Sequence, residues 1–214
     1  MAASPENSTI VRADFVARAQ CGFRRAPGLC EDAAQRASTE AAAPVVRPLD
    51  RAGAEAAVDG VFAGLSPRSR YLRFHSPIPR LPTSVRARLV DIDGIRHAAV
   101  VAEVRDLGPI GLAQVFGAGN GTADVAVAVV DAWQRRGIGR RLLTAIAALA
   151  EEIGYTELRG TVLPENVAMQ RLARSVLPWA RPWFDGEAVQ FAAPIGPAAW
   201  TVTHEDLLAD LVRR

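Results

Sequence analysis

Between Asp124 and Leu163 the chain spells strand, glycine turn, helix and strand, and no other stretch limits the fold as tightly. Ala126-Val127-Ala128-Val129-Val130 is an apolar run of small and β-branched residues suited to a buried strand. Gln134-Arg135-Arg136-Gly137-Ile138-Gly139-Arg140-Arg141 follows, and Leu142, Leu143, Ile146, Leu149, Ala150 and Ile153 then recur at helical spacing before a second strand over 157–163. The loop 134–139 therefore empties into a helix N-terminus, whose first N–H groups lack intrahelical partners and whose aligned peptide dipoles favour an anion. Glycine at 137 and 139 predicts unusual backbone angles and close approach of a guest. Arg135, Arg136, Arg140 and Arg141 would surround that guest with positive charge.

Spacing narrows the guest. A P-loop needs a lysine after its second glycine, and the chain contains no lysine; a dinucleotide fingerprint needs a third glycine where Arg140, Arg141 and Leu142 stand. What remains, Q-x-x-G-x-G after an apolar strand, resembles the pyrophosphate loop [QR]-x-x-G-x-[GA] of the GNAT superfamily of acetyl-CoA-dependent N-acyltransferases. Asn166, opening a helix after the second strand, is similar to the polar residue of the family's next helix that contacts the cofactor arm.

The resemblance covers roughly residues 45–195. It implies an α/β (α+β) GNAT fold, a mixed central sheet of six or seven strands splayed at the acetyl-CoA site, with flanking helices. It also implies that acetyl-CoA is held by the strand at Val127, Ala128 and Val129, by the loop residues Gln134, Arg135, Arg136, Gly137, Ile138, Gly139, Arg140 and Arg141, and by Asn166. No metal is implied.

Composition closes off other classes. With 214 residues, 50% of them hydrophobic, one domain with a sizeable core is expected, with residues to spare for tails. The net charge is +2 and the arginines are spread among acids, with no basic run interleaved with aromatics, so no nucleic-acid partner is read. Cys21 and Cys30 form no metal or disulfide pattern and are read as free thiols. No signal-like or membrane-spanning run occurs, so a cytoplasmic protein without a membrane partner is expected.

Residues 1–44, rich in Ala, Ser, Glu and Arg, read as a partly disordered extension with one candidate helix over 10–19. A GNAT domain is expected over 45–196 and a tail with a short helix, about 205–212, over 197–214. Within the domain, 45–49 suits a strand and 51–65 a helix with Ala54, Ala57, Val58, Val61 and Phe62 on one face. Ser66-Pro67 opens a second helix, which the prolines at 77, 79 and 82 end. Strands are expected over 97–104 and 110–116, with 117–121 as a hairpin turn, a helix over 167–176 and a last strand over 187–193. Asp91-Ile92-Asp93-Gly94 lacks the rest of a calcium loop and is read as a turn.

Transfer of an acetyl group to an amine requires removal of a proton, because a lysine of pKa about 10.4 is almost wholly protonated at pH 7, a deficit of about 4 to 5 kcal/mol. A carboxylate beside the thioester is the economical base. Asp124, at the head of the central strand, is the candidate, with bracing of the preceding turn as its alternative role; His97 and Glu103 are weaker rivals. Ala123-Asp124-Val125-Ala126 resembles the A-E-[VI]-A of bacterial protein-lysine acetyltransferases, where the Glu is the proposed base, and Leu65-Ser66-Pro67-Arg68-Ser69-Arg70-Tyr71-Leu72-Arg73-Phe74 is similar to their L-S-P-x-S-R-Y-x-R-F. Two departures stand out: Asp replaces Glu, and no tyrosine lies near 166–177 to protonate the departing thiolate, leaving Ser175 or solvent. Residues 1–44 are also too short for the cyclic-nucleotide or synthetase-like domains that accompany many members. The expected acceptor is a protein lysine side chain, with a small-molecule amine as the alternative; a non-catalytic acyl-CoA-binding module is the competing class.

Overall fold

Strand β1 (Val45–Leu49) opens the domain, and Asp50 turns the chain into helix α1 (Arg51–Ala63) by accepting the Gly53 N–H at Oδ1, 2.9 Å. The computed structural model describes residues 43–196; the expected helices over 10–19 and 205–212, and both cysteines, lie outside them. Helix α2 (Pro67–Phe74) begins as the sequence predicts, with Ser66 as N-cap and Pro67 at the first position. After the prolines a third helix, α3 (Thr83–Val90), appears where the sequence reading placed none. It buries Leu89 and rests on α1 through an Arg86 side chain that grips Asp59 at 2.6 and 2.8 Å.

Strands β2 (His97–Val104), β3 (Gly108–Gly119) and β4 (Thr122–Val129) form an antiparallel meander. The turn into β4 is tighter than 117–121: only Asn120 and Gly121 lie outside the strands, both with positive φ (50° and 72°), the conformation an Asn-Gly hairpin requires. Asp93 closes its own turn by accepting the N–H groups of Ile95, Arg96 and His97 at 2.7 to 2.9 Å.

A short 3₁₀ turn (Asp131–Trp133) leads to α4 (Ile138–Ile153), then β5 (Glu157–Val162), α5 (Val167–Val176), β6 (Arg181–Phe184) and β7 (Val189–Pro194). The exposed edge strand β6 was not anticipated. The seven strands run β1-β2-β3-β4-β5-β7-β6, antiparallel except for the β4–β5 pair. One face packs on α4 through the fully buried Leu142, Leu143 and Ile146; the other packs on α1 and α3 through Ala54, Val58 and Leu89. The expected mixed sheet with flanking helices is the fold observed.

Candidate active site

The cleft begins where two strands part. β4 and β5 pair only through Thr122–Glu157, Ala123–Leu158 and Asp124–Arg159. Beyond Asp124, β4 keeps β3 as its one neighbour and β5 keeps β7, so a cleft of about 610 Å³ opens between Val125–Val129 and Gly160–Val162. Met169 and Leu172 of α5 and Phe191 of β7 line its apolar part. Cross-strand pairing puts Asp124, Ala126 and Ala128 on the sheet face of Phe116, Gln114 and Leu112, beneath α1 and α3, whereas Val127 and Val129 pack on the α4 side.

The loop 134–139 bounds one end of this cleft. Gln134 Nε2 donates to the Val129 carbonyl (3.0 Å) and to Ser69 Oγ (3.2 Å), fixing the loop to the end of β4 and to α2. Arg135 and Gly137 both hold left-handed angles (φ 61° and 80°), the first unusual for a residue with a Cβ. The first intrahelical bond of α4 runs from Arg141 N–H to the Gly137 carbonyl (3.1 Å), so the N–H groups of Ile138, Gly139 and Arg140 have no acceptor within the helix. Such an uncapped end on a sixteen-residue helix favours an anion.

Gly139 corrects the sequence reading. It lies inside α4 with ordinary helical angles, and its lack of a Cβ serves packing: a Cβ there would sit 3.2 Å from Leu172 Cδ2 of α5. The four arginines also divide. Arg135 and Arg140 line the cleft; Arg136 lies over the Trp133 ring at 4.9 Å; Arg141 donates from Nη1 to the Pro44 carbonyl at 2.8 Å and belongs to the β1 side. Ile138 is a core residue, 3% exposed, which leaves only its backbone for a ligand.

Helix α2 borders the cleft through Ser69, Leu72 and Arg73, and a hub on Asp131 fastens it there. The Asp131 carboxylate accepts from the Ser66 N–H (2.9 Å), the Ser66 hydroxyl (2.7 Å) and the Ser69 hydroxyl (2.9 Å), while Ser66 Oγ accepts the Ser69 N–H (3.2 Å). Partial burial opposes ionisation of Asp131, but these donors outweigh it and hold its carboxyl below the usual range. Sequence reasoning marked the Ser66–Ser69 segment and the Gln134 loop separately; no spacing rule joins Asp131 to either.

His75 ends α2 in the left-handed region (φ 54°) and lines the cleft. Burial lowers its pKa, the Arg73 charge lowers it further and Glu165 opposes both, so the ring is neutral at pH 7.

Asp124 sits where the strands diverge, exposed, and borders both the cleft and an adjoining pocket with Glu157, Arg159, Trp183 and Gln190. Among the described residues its carboxylate has no hydrogen-bond or ion-pair partner. The turn before it is closed by others, Thr122 Oγ1 donating to the Gly119 carbonyl (2.7 Å) and Thr156 N–H to the Gly121 carbonyl (2.8 Å).

The rivals lie elsewhere. His97 is buried, between the Asp91 carbonyl (2.9 Å) and Gln114 Nε2 (3.1 Å) and stacked on Phe116, and Glu103 is paired with Arg47 at 2.8 and 3.0 Å. Ser175 is not brought to the cleft either: its hydroxyl donates to the Leu172 carbonyl one turn back (2.8 Å) on an exposed face. Asn166 does line the cleft, capping α5 with Oδ1 on the Met169 N–H (3.1 Å). Among the described residues no group of three or more His, Cys, Asp or Glu side chains could hold a metal ion, and no helix is long and apolar enough to cross a membrane.

A phosphate-bearing ligand with an extended arm fits these features: phosphates at the α4 N-terminus with Arg135 and Arg140, and the arm along the parted strands. Residues 76–177 match the model of the acetyltransferase (GNAT) family. No curated protein matches the chain. Among solved structures, the GNAT domain of S. lividans PAT is similar at 28% identity, with 70% of this chain and 89% of that one covered and a TM-score of 0.63. A cAMP-binding acyltransferase from Mycobacterium smegmatis is similar at 27% identity over 88% of this chain and 59% of that one, TM-score 0.50. A phosphinothricin acetyltransferase from Sinorhizobium meliloti, solved with AcCoA, shares the fold at 14% identity over 75% of this chain and 94% of that one, TM-score 0.56.

Proposed function

Because this chain carries an N-acetyltransferase domain of the GNAT family, with acetyl-CoA as donor, we propose that its acceptor is the side-chain amine of a lysine in another protein and that Asp124 is the base. The observation that carries the reading is the position of Asp124: the last residue paired across the seam, its carboxylate unpartnered and facing both the cleft and the open pocket beside it. Acetyl-CoA supplies an acetyl thioester already activated toward an amine. The free N–H groups of α4, with Arg135, Arg140 and Asn166, bind and orient the donor. Asp124 takes the acceptor's proton, directly or through one water. The shorter aspartate favours the water, and no side chain that donates a proton to the thiolate is assigned, so solvent does so.

The protein-lysine acceptor is supported by the likeness to the GNAT domain of S. lividans PAT and by the match of Leu65–Phe74 to that branch, a segment that here forms α2 along the cleft. A small-molecule amine has only fold-level likeness in its favour.

Asp124→Asn tests the assignment. We expect kcat to fall by roughly 10² to 10⁴, the usual worth of a positioned base, with acetyl-CoA affinity nearly intact and the lost rate recovering as pH rises toward the lysine pKa of about 10.4. Steady-state rates on a lysine-bearing protein from pH 6 to about pH 10 measure both. A near-wild-type kcat with an unchanged pH profile would remove Asp124 from the mechanism.

A further inference from the structure

Several of the arginines on this half of the fold have a visible occupation. Arg47 grips Glu103, Arg86 grips Asp59 and Glu55, and Arg70 donates to the Pro79 carbonyl and lies over Phe62. Arg73 differs. It borders the cleft on one side and a small apolar cavity with Leu112 and Ala128 on the other, so it lies against the sheet face that also carries Asp124. Among the described residues its guanidinium makes no side-chain hydrogen bond and no ion pair, and its one ring contact is with the neighbouring Phe74, 5.0 Å from the centroid. Burial pulls its pKa down to about 10, which leaves it charged at neutral pH.

Arg73 is only partly buried, but a cation on a cleft wall without a counter-ion still forgoes hydration with nothing in return, and proteins ordinarily keep one where a ligand supplies the missing charge. The neighbouring residues do not supply it. His75 beside it is neutral, and Glu165, exposed at the start of α5, acts on His75 rather than on Arg73. Nor is Arg73 part of the phosphate end, which is formed by the loop 134–139 with Arg135 and Arg140. The anion it meets belongs to the reacting end of a substrate. A guanidinium presents paired N–H groups in a plane, and a carboxylate matches that fork with two parallel bonds.

We propose that Arg73 receives a carboxylate carried by a substrate on the acceptor side of the cleft. The inference rests on the reading of this cleft as an acyl-transfer site. Two sources share the chemistry: the distal carboxylate of a dicarboxylic acyl thioester, or a carboxylate neighbouring the acceptor amine.

The experiment has one arm for each. In the first, the full chain is titrated calorimetrically with succinyl-CoA and with its neutral counterpart butyryl-CoA. In the second, peptides carrying one lysine flanked by Glu or by Gln compete as acceptors. In one arm the wild-type protein prefers the carboxylate tenfold or more, Arg73→Gln collapses that preference to less than threefold, and Arg73→Lys keeps part of it. No preference in either arm, or one that survives Arg73→Gln in a protein with an unchanged circular dichroism spectrum, overturns the proposal. Should the Gln variant not fold, an undiminished preference in Arg73→Lys does so.

Calorimetry needs no turnover, which separates the two readings. A succinyl-CoA preference with no transfer to any amine leaves Arg73 its role and defeats the transferase reading; transfer without any preference does the reverse.

Discussion

Asp131 gives the most direct test of how α2 is tied to the loop 134–139. Replacing it with alanine removes the acceptor of three hydrogen bonds, from the Ser66 N–H and from the hydroxyls of Ser66 and Ser69. Bonds to a charged acceptor are worth about 1.5 to 3 kcal/mol when buried, but this carboxylate is partly exposed, so about 1 kcal/mol each is the better figure. The loss is then about 2 to 3 kcal/mol, or roughly 5 to 10 °C in Tm for a domain of about 150 residues. Asp131→Asn should recover part of this, because its one acceptor oxygen can keep the two hydroxyl bonds that share Oδ1, while its NH2 group then faces the Ser66 N–H.

The pH dependence has a definite sign. The folded carboxyl titrates below its unfolded value, so its contribution is complete at neutral pH, begins to fall below about pH 4 and is lost as pH drops through the folded pKa. The wild-type advantage over the Asn variant should shrink on the same path. Since Ser69 also receives Gln134 Nε2, donor affinity should weaken several-fold in Asp131→Ala. Thermal unfolding from pH 3 to about pH 7 with calorimetric acetyl-CoA titration reads both. A Tm within 1 °C of wild type together with unchanged affinity would refute the tether.

Gly139→Asp should weaken acetyl-CoA binding at least tenfold, about 1.4 kcal/mol, by placing a negative charge at the α4 N-terminus and a Cβ against Leu172. Gly139→Ala isolates the steric part and should lose less; equal affinity for all three proteins would show that no phosphate sits there. The chain has no lysine, so any acetyl group it acquires during assay must map by mass spectrometry to its N-terminus, a hydroxyl or a thiol, and an internal acetyl-lysine would mean that the protein assayed has another sequence.

The strand, loop and helix of residues 122–153 were legible because small apolar residues, glycines and a 3.6-residue period all pointed the same way. Helix α3 was not, since TSVRARLV is only eight residues long, follows three closely spaced prolines and starts after Pro82 without a side-chain cap; packing against α1 and the sheet supports it. Strand β6 has four exposed residues with a proline among them, a pattern that reads as loop and is tolerated only at a sheet edge. Gln134, Arg135, Arg140 and Asn166, marked from local motifs, all line the cleft. Arg141 lies apart from the cleft lining, and its partner, the Pro44 carbonyl, is brought close only by the closed fold. The Asp131 hub joins residues 65 positions apart and has no one-dimensional signature. Gly139 lines the cleft but has helical rather than unusual backbone angles, and its neighbour Leu172 lies on a helix that local reading cannot place.

The parting of β4 from β5 makes the sheet incomplete by design. Past Asp124, one edge of each strand carries peptide groups without a partner strand, and only three residue pairs bridge the two halves of the ladder at that point. A donor whose arm contains amides of its own can lie in the gap and take up those groups, as an added strand would. Were a donor to do so, folding energy and donor affinity would be linked quantities, and a substitution far from the cleft that loosens β5 against β7 should register as weaker donor binding before it registers as unfolding.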